Sequence, residues 1–316
     1  MRKILMIALI LISIGTVIFV AVMTYHGWDF KKLSAGKYET NTHTISDDFD
    51  SIKIETETAD ISILPSQSGE RRVVLYELIK AKHTVTVENG TLKIGQNDER
   101  RWYDYLCLDF NSPKITLYLP EAEYSTLTIN ATTGDVCIPK DFTFGDIDVS
   151  ITTGDIYCAA SAKGDVNISA TTGDLTLNKL KAGSVNLSVT TGDINADGID
   201  CPASLTLKTT SGDMELSDIR CGSFTVNATT ADVELKNVIS EGSLFIKTTT
   251  GDIELEGCDA AELYIKATTG DIEGNLLTPK TFISSTTTGN ISVPKTTGGK
   301  CELHTTTGDI VISIKK

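Results

Sequence analysis

Val185-Asn186-Leu187-Ser188-Val189-Thr190-Thr191-Gly192-Asp193-Ile194 is the stretch that decides the fold. Apolar Val185, Leu187 and Val189 alternate with polar Asn186 and Ser188, the period-two pattern of a strand with one buried face. Thr190-Thr191-Gly192-Asp193 then breaks the alternation, and Ile194 resumes it. The phrase or a close variant recurs at Gly134, Gly154, Gly173, Gly192, Gly212, Ala231, Gly251, Gly270, Gly289 and Gly308, every 19 or 20 residues. A fixed period in this range means one supersecondary unit stacked on copies of itself.

Outward from the glycine the copies agree. Seven residues before it stand Leu127, Ile147, Val166 and their equivalents, ending in Phe282 and Cys301; two after it stand Val136, Ile156, Leu175 through Ile291 and Ile310. Two architectures fit: a meander with Thr-Gly as hairpin loop, or a solenoid in which equivalent residues stack in ladders. About twenty antiparallel strands exceed what an open twisted sheet sustains, and near-identical side chains suit ladders. The expected fold is therefore all-β, a single-stranded β-helix of 19–20 residues per coil, regular over residues 126–316.

Residues 45–125 are less regular but continue the pattern. Ile52-Lys53-Ile54-Glu55-Thr56 and Ala59-Asp60-Ile61-Ser62-Ile63 form an early copy, and Asn89-Gly90 between two alternating runs is a strong hairpin signal. Arg100, Arg101, Trp102, Tyr103 and Tyr105 interrupt the pattern. They belong either to an irregular cap or to an exposed partner-binding loop.

Before the β-region, Met1-Arg2-Lys3 precedes an uncharged apolar run over residues 4–23. At about 1.5 Å per residue, its 20 residues match a hydrocarbon core. Basic residues ahead of the run place 1–3 inside the cell and the bulk of the chain outside. A secretory signal peptide also has a basic start and an apolar core, but the run exceeds a usual signal core and lacks an Ala-x-Ala site. A single-pass cell-membrane anchor is expected, with 24–44 as its stalk.

The formal charge of −14 argues against nucleic acid or anionic lipid as a partner. Seven cysteines without a Cys-x-x-Cys pair leave zinc and redox chemistry unsupported. Cys201 and Cys221 each follow their glycine by nine residues, so stacking makes them neighbours within disulfide reach.

The order Ile52-Lys53-Ile54-Glu55-Thr56 with Ala59-Asp60-Ile61-Ser62-Ile63, then Asn89-Gly90-Thr91-Leu92-Lys93-Ile94, then Ile115-Thr116-Leu117-Tyr118-Leu119-Pro120, then serial Thr-Thr-Gly-Asp-Ile resembles the bacterial putative-adhesin family of unknown function. That family is similar to head-GIN autotransporter-adhesin domains. The resemblance covers residues 45–316 and implies a β-helix at the bacterial cell surface, in some members associated with envelope-stress signalling. It implies no catalytic residues.

Stacking would also bring one aspartate per coil into a column. Neighbours about 5 Å apart repel by about 0.8 kcal/mol even in water, so something must offset this. One reading is an Asx-type bond from each carboxylate to its own turn; the other is calcium along Asp135, Asp155, Asp174, Asp193 and Asp213. Alanine at 59 and 231 means either that these turns differ or that the position tolerates a Cβ. Threonine ladders suggest ice binding, but adjacent threonines in a strand should point to different faces. A polysaccharide-cleaving β-helix needs carboxylates with cations in a groove, whereas the repeats hold only Arg220 and His304 besides lysines. The expectation is a non-catalytic, cofactor-free binding or scaffold module, with a stress-signalling regulator and a polysaccharide enzyme as the alternatives. Its expected partners are the membrane and an envelope protein or surface glycan. The strand at 310–314 is expected to be an open edge for weak self-association.

Overall fold

In the computed structural model, residues 2–29, 36–100 and 111–315 are described. The chain begins with the helix Arg2–Tyr25, of which Leu5–Tyr25 is long and apolar enough to cross a membrane. A signal sequence meets the same criteria. From Tyr38 onward, the strands among the described residues form one 25-stranded sheet wound as a β-solenoid.

Coil stacks on coil through parallel pairing, with register shifts at irregularities such as those between Cys201 and Ser204 and between Cys221 and Phe224. The strand Thr143–Thr153 lies between Glu123–Thr133 and Asp165–Thr172, with Ile147 level with Leu127 on one side and Val166 on the other. After the corner, Ile156–Cys158 lies between Val136–Ile138 and Leu175–Asn178. The inward residues of all coils merge into a single continuous core, so each ladder position is buried against its equivalents above and below.

The period-two alternation holds within strands and fails at the corner. Both threonines of pairs such as Thr171-Thr172 and Thr190-Thr191 are exposed, contrary to the expected split between faces, because the chain turns at the following glycine. Gly173 shows why glycine is needed there. Its φ is +131°, and a Cβ would overlap the Gly154 carbonyl of the coil below. Ala59 and Ala231 are buried and lack positive φ; their turns differ, which resolves the alternative left open above.

At the N-terminal end the chain departs from simple succession. The coil formed by Ser51–Thr58 and Asp60–Pro65 stacks directly on Glu123–Thr133 and Val136–Ile138. Its other side is covered by Thr91–Asp98 and Lys114–Leu119. Antiparallel strands then close this end: Ala81–Glu88 on Thr91–Asp98, and Arg72–Leu78 on Lys114–Leu119. The expected hairpin is present, with Asn89 and Gly90 at φ +51° and +75° between Glu88 and Thr91. The 24–44 stretch is not all stalk, because Tyr38–Thr44 pairs antiparallel with Arg72–Leu78.

The far end corrects a second expectation. Ile310–Ile314 is an open edge only in part: it pairs with Ile272–Leu276 along its whole length on one side, while on the other Ile291 and Ser292 cover only Ile310 and Val311. Likewise Gly299–His304 lies between Ile253–Lys266 and Lys280–Ser285. The coil at 280–292 is thus outermost in space, although 299–314 follows it in sequence. The residues explain the choice. Cys301, Leu303, Ile310 and Ile312 are buried and complete the ladders, whereas the 280–292 coil places Ser284 at an inward position and leaves Ile283 and Ile291 exposed.

This order has a direct test. Ile310 is 0% exposed and Ile291 43% exposed, so Ile310→Ala should cost about 2–5 kcal/mol and Ile291→Ala under about 1 kcal/mol. Equal losses in urea unfolding would contradict the coil order.

Candidate functional site

Each corner carries three bonds between coils. Gly173 N donates to Thr191 O at 3.0 Å, Leu175 N to Asp193 O at 2.9 Å, and Asp193 N to the Asp174 carboxylate Oδ1 at 2.8 Å. The carboxylate therefore serves the next coil rather than its own turn, which corrects the Asx reading. The column runs through Asp60, Asp135, Asp155, Asp174, Asp193, Asp213, Asp232, Asp252, Asp271 and Asp309 to Asn290.

Asn290, an apparent interruption in sequence, is the column's last member in space. A carboxylate there would have no coil beyond it to supply an N–H. The amide instead lies 3.4 Å from both Asp309 carboxylate oxygens. Among the described residues no three His, Cys, Asp or Glu side chains converge as a metal site. Asp135, Asp155, Asp174, Asp193 and Asp213 each have an oxygen committed to the next coil.

Of the expected loop, Arg101, Trp102, Tyr103 and Tyr105 lie outside the described residues. Arg100 is held by Asp98, with guanidinium contacts of 2.6–2.9 Å, and reaches Glu57 at 3.1 Å. Glu57 borders an open groove of about 480 Å³ whose wall includes Glu55, Gln96, Asn130, Thr132, Ser150 and Thr152. These positions on four neighbouring strands present hydroxyl, amide and carboxylate groups.

Beneath the groove lies a polar network that the sequence pattern did not reveal. Glu77 and His83 are 1% and 6% exposed. Glu77 Oε2 accepts the His83 backbone N–H at 2.6 Å and faces His83 Nδ1 at 2.9 Å, while Oε1 accepts from Asn41 Nδ2 at 2.8 Å. His83 Nε2 in turn lies 2.9 Å from Thr56 Oγ1.

A hydroxyl, an imidazole and a carboxylate in line have the spacing of a nucleophile, its base and an orienting group. The hydroxyl proton has two acceptors within reach. The Glu57 N–H donates to Gln96 Oε1 at 2.6 Å, which fixes that amide's orientation, and the same oxygen lies 3.2 Å from Thr56 Oγ1 as an alternative acceptor to His83 Nε2. The chain of groups, from Asn41 through Glu77 and His83 to Thr56 and Gln96, braces five strands.

Cys201 and Cys221 are level in register, as expected, and both thiols are free. Cys201 donates its S–H to Cys221, which holds the Cys221 thiol below its ordinary value and, with burial, pushes Cys201 up. Burial pushes Cys158 and Cys301 up to about 12 and Cys258 to about 11. These three serve as small core side chains.

Two variants separate bracing from chemistry. Glu77→Ala leaves His83 without its buried partner and should cost about 3–5 kcal/mol by urea unfolding. Asp193→Ala should cost about 1–2 kcal/mol while Asp193→Asn, which keeps the acceptor, costs less. Chelation with EDTA should leave the melting temperature of both wild type and Asp193→Ala unmoved; a drop in the wild type would assign metal to the column.

Crystal structures with similar chain paths include a "putative adhesin" from Bacteroides fragilis (14% identity, 88% of this chain and 97% of that one, TM-score 0.43). Two come from Parabacteroides distasonis: a "putative lipid binding protein" (14%, 89% and 98%, 0.46) and a "putative adhesin" (9%, 85% and 98%, 0.47). No curated protein matches the chain. The family model described as Toastrack DUF4097 matches residues 49–258, within the solenoid, and the chain belongs to that family.

Proposed function

We propose that the protein is a membrane-anchored, extracytoplasmic rod that binds a glycan of the cell envelope without transforming it. The observation that carries this reading is the groove at the N-terminal end. Its hydroxyl, amide and carboxylate side chains sit on a rigid ladder, braced from beneath by the buried Glu77–His83–Thr56 network. Such a wall supplies donors and acceptors at fixed spacing, which suits a polyhydroxylated ligand. Glu55 and Glu57 disfavour an anionic one.

The anchor is supported by the Leu5–Tyr25 helix, which is long and apolar enough to cross a membrane and whose apolar side chains are mostly exposed. Anchoring places the groove at the end of the rod nearer the membrane, where envelope polymers run. The full-length protein should resist alkaline carbonate extraction from membranes and retain its N-terminal helix by intact-mass measurement. Release of a shortened chain would replace the anchor with a cleaved leader.

For the ligand, full-length protein on an array of envelope glycans should retain neutral or amino-sugar oligomers. The Asn130→Ala/Ser150→Ala variant, altered only at exposed groove positions, should bind about tenfold more weakly, the loss expected for one or two hydrogen bonds. Retention of no glycan, or retention unaffected by the variant, would remove the groove as the site.

A further inference from the structure

Two charge columns run along the distal half of the rod on strands that meet at the Thr-Thr-Gly-Asp corner. On the strand before the corner, pairing sets Lys208 level with Asn227, Asn227 with Lys247, and Lys247 with Lys266. On the strand after it, Glu215, Glu234, Glu254 and Glu273 are level in succession. All seven of these charged side chains belong to exposed residues.

Neither column is neutralised within the chain. Among the described residues none of the three lysines and none of the four glutamates makes an ion pair within 4.0 Å. The lysine that shares the acidic side, Lys236, is taken by Glu256 at 3.6 Å. Successive glutamates, and the pair Lys247 and Lys266, are one strand spacing apart, roughly 4.8 Å, so like charges repel within each column, while Asn227 separates Lys208 from Lys247.

The two columns are matched in three of the four coils, Asn227 standing opposite Glu234 in the other. Lys208 and Glu215 share a coil, as do Lys247 with Glu254 and Lys266 with Glu273, always seven residues apart across the corner. The solenoid fixes the same axial spacing for both. A second rod, parallel and at equal height, can therefore set its glutamates against these lysines without any adjustment of register.

We infer that the distal half of the rod is a lateral docking surface for a second copy of this chain, lysine column against glutamate column. The contact joins different surfaces of the two partners, so it is heterologous and leaves a free column on each side for further copies. An anionic polymer would also suit the lysines. However, Asp213, Asp232, Asp252 and Asp271 line the corner beside them, and the glutamates follow. A flexible polyanion would meet that repulsion; a second rod uses both columns. Exposed ion pairs are individually weak and salt-screened, so the association is weak in solution and favoured where copies are held parallel in one membrane. It is independent of the ligand assigned to the groove.

The test uses full-length protein in phosphatidylcholine vesicles, with donor- and acceptor-labelled chains. Energy transfer should be present at about 0.01 M salt and lost at about 1 M, where the screening length falls from roughly 30 Å to roughly 3 Å. Lys247→Glu/Lys266→Glu should reduce it at least tenfold, and so should Glu254→Lys/Glu273→Lys. Mixing the two variants should restore it, because each then carries the column the other needs. Thermal melts matching wild type keep misfolding out of the comparison. Absence of transfer at low salt, transfer unchanged by either reversal, or failure of the mixture to recover would overturn the inference. So would lysine-dependent capture of poly-L-glutamate without transfer between copies, which would assign the column to a polyanion.

Discussion

Every coil of this protein depends on the hydrogen bonds that its neighbour supplies at the glycine–aspartate corner. A single coil has no closed sheet and no core of its own; its inward side chains are buried only when equivalent ones lie above and below. The corner is where the chain turns most tightly, where glycine permits the approach of two carbonyl-bearing backbones, and where the aspartate carboxylate reaches across to the next coil. Repulsion along the aspartate column is tolerated because each carboxylate has an N–H to accept. The column ends in Asn290, where that N–H runs out.

The same constraint decides what was legible in the sequence. Coil length, strand positions, the corner and the Asn89-Gly90 hairpin follow from local pattern and turn chemistry, and the resemblance to an adhesin family pointed to the same architecture. Neighbour order does not follow from pattern. The coils share one repeat pattern, so any coil can stack on any other, and periodicity alone cannot say that 299–314 precedes 280–292 in space. The signals that could have said so are single residues: Ser284 at an inward position, Asn290 in the aspartate column, and Pro294 without a backbone donor. Each looks like noise in a repeat and makes sense only at an end.

The candidate site was partly legible. Arg100, at the interruption of the repeat pattern, reaches Glu57 on the border of the groove. The Glu77–His83–Thr56 network was not legible, since its members come from three strands with no fixed spacing and are joined only when the antiparallel cap folds over the first coil. The charge columns are different again. Their residues are visible in each repeat, but they become columns only once the register is known.

The inverted order of the last two coils also bears on how the protein is built. A solenoid made in sequence order can grow as its chain emerges, each coil settling on the one before. Here the 280–292 strands meet their native neighbours only once 299–314 has been synthesised and lies between them and the preceding coil. The native arrangement of this tip therefore waits until both segments are available.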